Sequence, residues 1–297
     1  MGQVKSYPPI KQTKGGQVLK VDKSIKVKLK KKKGAPKWAM QPFKDFLQST
    51  ERLSHIVRIS EKGISMIRAT PKIIEVLTKA ESNKSQKEKD RLKSAREEAK
   101  LAQQEVDMGF PVLHAWAVIS LWAHLESLFR IFIATWLRHK RSAWKIDAIR
   151  RLRIKVGEYE SIAKDERHIF IAGQLERELG AGLKAGVTRF ETLLEPFGLS
   201  GNLPACVKRQ IYEFGQVRNL VAHRAGKIDN HFLNACPWID ANLGTELNIS
   251  KKMLGSYYHA SLAYVTLIIC RLGELRGVDM SKHRINVEKE AVEQMEK

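Results

Sequence analysis

The sequence predicts an all-α protein, and three observations carry that reading. Apolar residues recur at helical spacing, with Phe43, Phe46 and Leu47 at i, i+3, i+4 and then Leu53, Ile56 and Val57 in the next turns. Two long apolar stretches, 111–139 and 251–275, read as helices of a buried core. Helix punctuation stands where such helices need it: Ser250 as an N-cap, Pro204 in a first turn, Gly226 just past an end.

Residues 1–36 are a lysine-rich leader, read as flexible. From Ile25 to Lys30 apolar and basic residues alternate, and Lys31, Lys32 and Lys33 follow. Alternation suits one edge strand, but a run of like charge without a partner strand favours disorder. Lys28, Lys30 and Lys32 are its candidate phosphate contacts, in an electrostatic arm that would raise RNA affinity without reading sequence. The plainer alternative is a solvated tail.

Residues 37–107 read as a helical extension. Its first helix runs from Trp38 to about Thr78, and Pro71 breaks or restarts it. Residues 81–107 then form a charged, solvent-exposed helix supported by i,i+4 pairs such as Lys84 with Glu88 and Lys93 with Glu97.

Residues 108–278 read as the main bundle. A long apolar helix over 111–139 is followed by a basic helix over 142–155 carrying Lys145, Arg150, Arg151 and Arg153. Shorter helices cover 168–179 and 186–197, separated by Gly180, Gly182 and Gly186. Asn202 is the expected N-cap of a helix that runs to about Ala225 and stops at Gly226. A polar loop over 227–248, with room for a short hairpin, leads to the Ser250-capped last helix. Residues 279–297 are read as a charged C-terminal tail. No internal repeat is apparent, and the sum is an antiparallel helical bundle.

Composition bounds the function. A chain of 297 residues with 43% hydrophobic residues can bury a real core. Lys and Arg outnumber Asp and Glu 53 to 32, a net charge of +21, which favours a polyanionic partner. Nucleic acid is the first choice, because neutralising phosphates releases condensed counterions; an acidic protein or membrane surface is the alternative. Cys206, Cys236 and Cys270 have no paired spacing, which argues against a disulfide framework and a thiolate zinc site. The basic N-terminus lacks the apolar h-region of a signal peptide. The apolar run Met108–Ala123 falls short of the about 20 residues a membrane helix needs, so the expected location is the cytoplasm. His114 and His124 lack a third ligand, and no glycine-rich phosphate loop or Ser-His-Asp arrangement occurs, so no metal or cofactor is expected.

The chemistry concentrates in Gln216-Val217-Arg218-Asn219-Leu220-Val221-Ala222-His223. On a helical wheel Ile211, Phe214, Val217 and Val221 face inward, while Tyr212, Gln216, Asn219 and His223 form a separate polar stripe. Arg218 falls at the edge of the apolar face, points toward the bundle and needs a partner there. Arg and His would then border a shallow groove that takes a phosphate. Looser Arg-x6-His spacings also occur at Arg224 to His231 and Arg276 to His283. Requiring Asn after the Arg and three residues before the His leaves only Arg218 to His223.

Over about residues 108–278 the chain resembles the HEPN superfamily, whose nuclease members carry Arg, four to six residues and then His, often with a polar residue after the Arg. The shared features are a long first helix with an internal acidic residue, the Arg218-Asn219-x3-His223 helix, and a long apolar last helix. The resemblance implies a metal-independent endoribonuclease acting as a toxin or in defence against phage; it leaves open whether a neutralising or regulatory partner protein accompanies it. An imidazole takes or gives a proton near neutral pH, and a guanidinium stabilises charge building on the phosphate. One motif supplies one histidine, so a two-fold homodimer would bring acid and base together. Asn219 would orient the His223 ring or contact phosphate. The alternatives are a non-catalytic HEPN-fold module that binds RNA or protein, and a structural helical protein whose charge serves solubility. His223 would then be an ordinary helix-end histidine favoured by the helix dipole, and Arg218 would pair with an acidic neighbour.

Glu126 is the acidic residue of the long first helix, among Ile119, Trp122, Phe129 and Ile133. It needs a partner, either Arg130 one turn on or the Arg218/His223 pair. Tyr212 and Gln216 are candidate RNA contacts on the polar stripe, Tyr212 by stacking a base or else as a partly buried helix tyrosine. Arg150, Arg151 and Arg153 would grip phosphates, or are simply solvated.

Overall fold

Twelve α-helices, three short 3-10 turns and no strand make up the described residues, 35–78 and 86–295, of the computed structural model. The leader with Lys28, Lys30 and Lys32, and the Lys84 half of the pair with Glu88, lie outside the described residues. In chain order the helices are α1 (Lys37–Ile67), α2 (Thr70–Thr78), α3 (Gln86–Asp107), α4 (Pro111–His139), α5 (Asp147–Arg150) and α6 (Val156–Ser161). Then come α7 (Arg167–Glu178), α8 (Val187–Leu194), α9 (Ala205–Arg224), α10 (Asn230–Ala235), α11 (Lys251–Leu275) and α12 (Ser281–Met295).

α4 is the axis of the fold because it is apolar on nearly every face. Pro111 starts it in the first turn, where a missing N–H leaves no bond unmade. Val118, Leu121, Leu125, Phe129, Phe132 and Leu137 are all buried along it. It packs against α1, α7, α9 and α11, and α11 packs in turn on α9. The three helices expected over 111–139, 204–225 and 251–275 therefore do share one core. α1 joins it through Phe43, whose ring lies 5.0 Å from that of Phe132. By length and composition alone α4 and α11 are each long and apolar enough to cross a membrane. That amends the expectation that the apolar run falls short of a span; here roughly half of each window is buried inside the fold.

Several local expectations need correction. Residues 142–155 are not one helix: a 3-10 turn at Arg141–Lys145 is followed by α5, and residues 152–155 carry no regular structure. Ala143 and Ile149 are both buried, and six residues apart they would lie on different faces of a single α-helix. The break at Ile146, with extended dihedrals, lets both reach the core. Pro71 does restart the helix as expected: α1 ends at Ile67, and Pro71 sits in the first turn of α2. Lys93 and Glu97 are not the ion pair that α3 uses; Arg96 reaches Glu75 of α2 at 2.7 Å. Asn202 does not cap α9: Pro204 holds that position with extended dihedrals, and the Asn202 carbonyl accepts from Arg271 at 3.0 Å.

α9 ends on two successive left-handed residues, Ala225 (φ 49°) and Gly226 (φ 79°), whose N–H groups both turn back to the Leu220 carbonyl. The following loop holds α10 as well as one isolated antiparallel bridge, Lys227 to Glu246. Asp229 caps α10 by accepting from the Phe232 N–H at 2.8 Å, and the Phe232 ring is buried. Ser250 caps α11 as expected, accepting from the Met253 N–H. The C-terminal segment is not a free tail: α12 packs on α11 and α9, and Ala291 is buried.

Candidate functional site

The last three turns of α9 present Arg218, Asn219 and His223, and the helix is fixed by its inward face. Ile211, Phe214 and Val217 are fully buried and Val221 half-buried. The Phe214 ring stacks on Tyr257 of α11, with centroids 5.0 Å apart, and meets Trp122 of α4 edge-on. Gly215 lets α9 approach α4: a Cβ there would lie 2.9 Å from the Trp122 ring.

The polar stripe is only partly exposed. Asn219 and His223 are exposed, Tyr212 is half-buried, and Gln216 is buried because α10 packs over this end of α9. An open pocket of about 280 Å³ forms there, lined by Gln216, Asn219, Leu220, His223, Arg224, Asp229, His231 and Phe232. Arg224 holds Asp229 at 3.5 Å. Neither the His223 nor the His231 ring makes a hydrogen bond or ion pair among the described residues, and both are exposed.

Arg218 is not among the pocket residues. Its guanidinium donates to Asn219 Oδ1 at 3.0 Å and lies 3.8 Å from Glu126 Oε2. Glu126 therefore meets Arg218 and not Arg130. Its closer partners are the Trp122 indole at 2.8 Å and Arg189 of α8 at 2.9 Å. Arg130 turns instead to Glu176 of α7 at 2.9 Å, and Arg189 reaches the same carboxylate at 2.8 Å. The result is an alternating chain of charges, Arg130, Glu176, Arg189, Glu126 and Arg218, across α4, α7, α8 and α9. Burial pushes the Glu176 carboxyl up, but the hydrogen bonds from Arg130 and Arg189 outweigh it and hold it below the usual carboxylate range.

On the neighbouring face Glu213 is buried and accepts from the Tyr257 hydroxyl at 2.9 Å and from the Trp238 indole. Burial, then the Glu213 charge, pushes the Tyr257 hydroxyl well above its ordinary value. The Tyr212 ring faces Trp238 at 6.4 Å, and Arg209 covers Trp238 at 4.5 Å. Arg150, Arg151 and Arg153 are exposed and outside the pocket, with Arg150 3.6 Å from Asp147.

The sequence brought Arg218, Asn219, His223 and Glu126 to one neighbourhood, but the fold divides them between a pocket and a charge chain. It gave no signal for Arg189 or Glu213, whose partners are distant in the chain. His231 and Arg224 did leave one, the second Arg-x6-His spacing. His114 and His124 do not converge: His114 lies between the Ile249 carbonyl (2.8 Å) and Glu61 (3.2 Å), while His124 sits beside α1 with Phe46. Among the described residues no three His, Cys, Asp or Glu side chains cluster as metal ligands. No protein-family model, no curated protein and no solved structure matches this chain.

Proposed function

We propose that the chain is a metal-independent endoribonuclease of HEPN type, a cytoplasmic toxin or anti-phage effector whose substrate is RNA. The observation that carries this reading is the uncommitted imidazole of His223, exposed beside Asn219 and Arg224 on an open pocket at the end of α9. The Arg218-Asn219-x3-His223 resemblance and the +21 charge support it. In this reading His223 moves the proton in 2′-OH attack, and Arg218, held near the site by Asn219, contributes positive charge to the phosphate. A homodimer would add a second copy of the motif, the leader lysines an electrostatic arm, and a further protein would restrain the activity.

The test is incubation of purified protein with total RNA in EDTA. Wild type should cleave and leave 2′,3′-cyclic phosphate ends, while His223→Ala should lose about 10²–10⁴-fold. Equal cleavage by a folded His223→Ala protein, or arrest by EDTA, would sink the assignment.

A second reading, a non-catalytic HEPN-fold module that holds RNA or a protein, is favoured by one observation. Arg218 is engaged by Glu126 and Asn219 and does not line the His223 pocket. That module would bind RNA with the same salt dependence and cleave none.

A further inference from the structure

We infer that the pocket at the end of α9 is a complete phosphate site within one protomer, with His223 and His231 as its two proton carriers and Arg224 as its guanidinium. This rests on the ribonuclease reading for its chemistry but changes which residues perform it. The Arg218-Asn219-x3-His223 motif supplies one imidazole, and its arginine is spent on Glu126 and Asn219. The pocket nevertheless holds a second histidine and a second arginine, His231 and Arg224.

The chain geometry explains how they arrive. Ala225 and Gly226, both left-handed, end α9 and reverse the chain, and Asp229 then caps α10. The reversal returns His231 to the pocket that His223 lines, so the histidines of the two Arg-to-His spacings share one pocket with Arg224. Both rings are exposed and without hydrogen-bond partners among the described residues, unlike His114, which is buried between Ile249 and Glu61. Among the described residues Arg224 is held only by Asp229, at 3.5 Å and with two thirds of its side chain exposed. An ion pair so exposed contributes little, so an entering phosphate can take over the guanidinium.

The step balances with these groups alone. One neutral imidazole takes the proton of the ribose 2′-OH as the O2′–P bond forms. The other, entering as imidazolium, gives a proton to the 5′ oxygen as the P–O5′ bond breaks. Products are a 2′,3′-cyclic phosphate and a 5′-hydroxyl, with no change of oxidation state. Arg224 faces the non-bridging oxygens, where negative charge accumulates.

The test has two arms on the full chain. In the first, imidazole proton resonances, assigned with His223→Ala and His231→Ala, are followed as inorganic phosphate is added at fixed pH and ionic strength. Both rings should shift with one common midpoint, and Arg224→Ala should weaken that midpoint at least tenfold. Movement of one ring alone, or an unchanged midpoint in Arg224→Ala, overturns the inference. In the second arm, RNA cleavage by His231→Ala should fall at least a hundredfold, as for His223→Ala. Full activity of His231→Ala beside an inactive His223→Ala overturns the inference and leaves the ribonuclease reading standing. Absence of cleavage in wild type, with both rings answering phosphate, ends the ribonuclease reading and keeps the phosphate site.

Discussion

The guanidinium of Arg189 lies 2.9 Å from the carboxylate of Glu126, inside the 3.8 Å at which Arg218 approaches the same group. The difference assigns the two arginines different work. Arg189 also holds Glu176 at 2.8 Å and so joins α8 to both α4 and α7. Arg218 is the outer member of the chain, tied mainly to its neighbour Asn219.

Truncating them should therefore cost different amounts. Arg189→Ala leaves two partly buried carboxylates each short of a partner, and should lose about 2–3 kcal/mol, less than a fully buried pair because these groups keep some solvent. Arg218→Ala leaves Glu126 with Trp122 and Arg189, and should lose less than about 1 kcal/mol. Urea denaturation of the two variants decides it. If Arg218→Ala is the more damaging, Arg218 and not Arg189 is the principal partner of Glu126.

Glycine substitutions test the contact between α9 and α4. An interior helical Gly→Ala change ordinarily gains about 0.5–1 kcal/mol. Gly63 of α1 has open space where a Cβ would go, so Gly63→Ala should gain about that much. At Gly215 the new Cβ would stand 2.9 Å from the Trp122 ring, which is itself packed on Phe214 and Phe190. The ring cannot yield as a flexible chain would, so Gly215→Ala should lose about 1–3 kcal/mol. Paired melting curves that move the same way would refute the close approach.

Where the sequence was readable, the signal was local. α4 and α11 are long, predominantly apolar stretches, and Ser250 marks the start of α11 with its own side chain. The end of α9 was readable from Gly226. What stayed hidden depends on distant partners. α10 is six residues in a polar loop, and only its docking on α9 buries Phe232 and with it Gln216. α12 hides for a similar reason, since among the described residues Ala291 and part of Val287 are the apolar surface it brings to the core. For the site, spacing alone could place Asn219 and His223 on one stripe. It left open whether Glu126 would meet Arg130 or Arg218, because what draws Arg130 away is Glu176 on another helix.

Buried Glu213 should behave as a structural acceptor. Glu213→Ala leaves the Tyr257 hydroxyl and the Trp238 indole without their acceptor, and should lose about 2–4 kcal/mol. Glu213→Gln keeps one carbonyl oxygen and should lose clearly less. Tyr257→Phe removes the donor along with its need, and should cost about 1 kcal/mol. A Glu213→Ala protein as stable as wild type in urea would show that these two donors find other acceptors.

The response to acid should come in two stages with different owners. Burial holds the His124 and His168 imidazoles below their ordinary value, with Arg138 and His139 adding to the effect at His168. A lowered imidazole means the unfolded chain takes up these protons first, so stability falls as pH drops below about 6.5. At Glu61 burial pushes the carboxyl up, but hydrogen bonds from Lys251, at 2.9 Å, and His114 outweigh it and hold the carboxyl below its usual range. For a lowered carboxyl, the stability is present above the unfolded value and is lost as pH falls through the folded one. Glu61 joins α1 to both α4 and α11 through these bonds, so its protonation should loosen the contact of α1 with the core. Melting temperature measured against pH separates the stages. His124→Gln should flatten the upper, imidazole stage and leave the lower one. Glu61→Gln should lower the melting temperature at neutral pH and flatten the lower, carboxylate stage, which Glu176 still shapes in part. A Glu61→Gln curve parallel to wild type through the carboxylate range would show that the bonds from Lys251 and His114 do not couple proton uptake to unfolding.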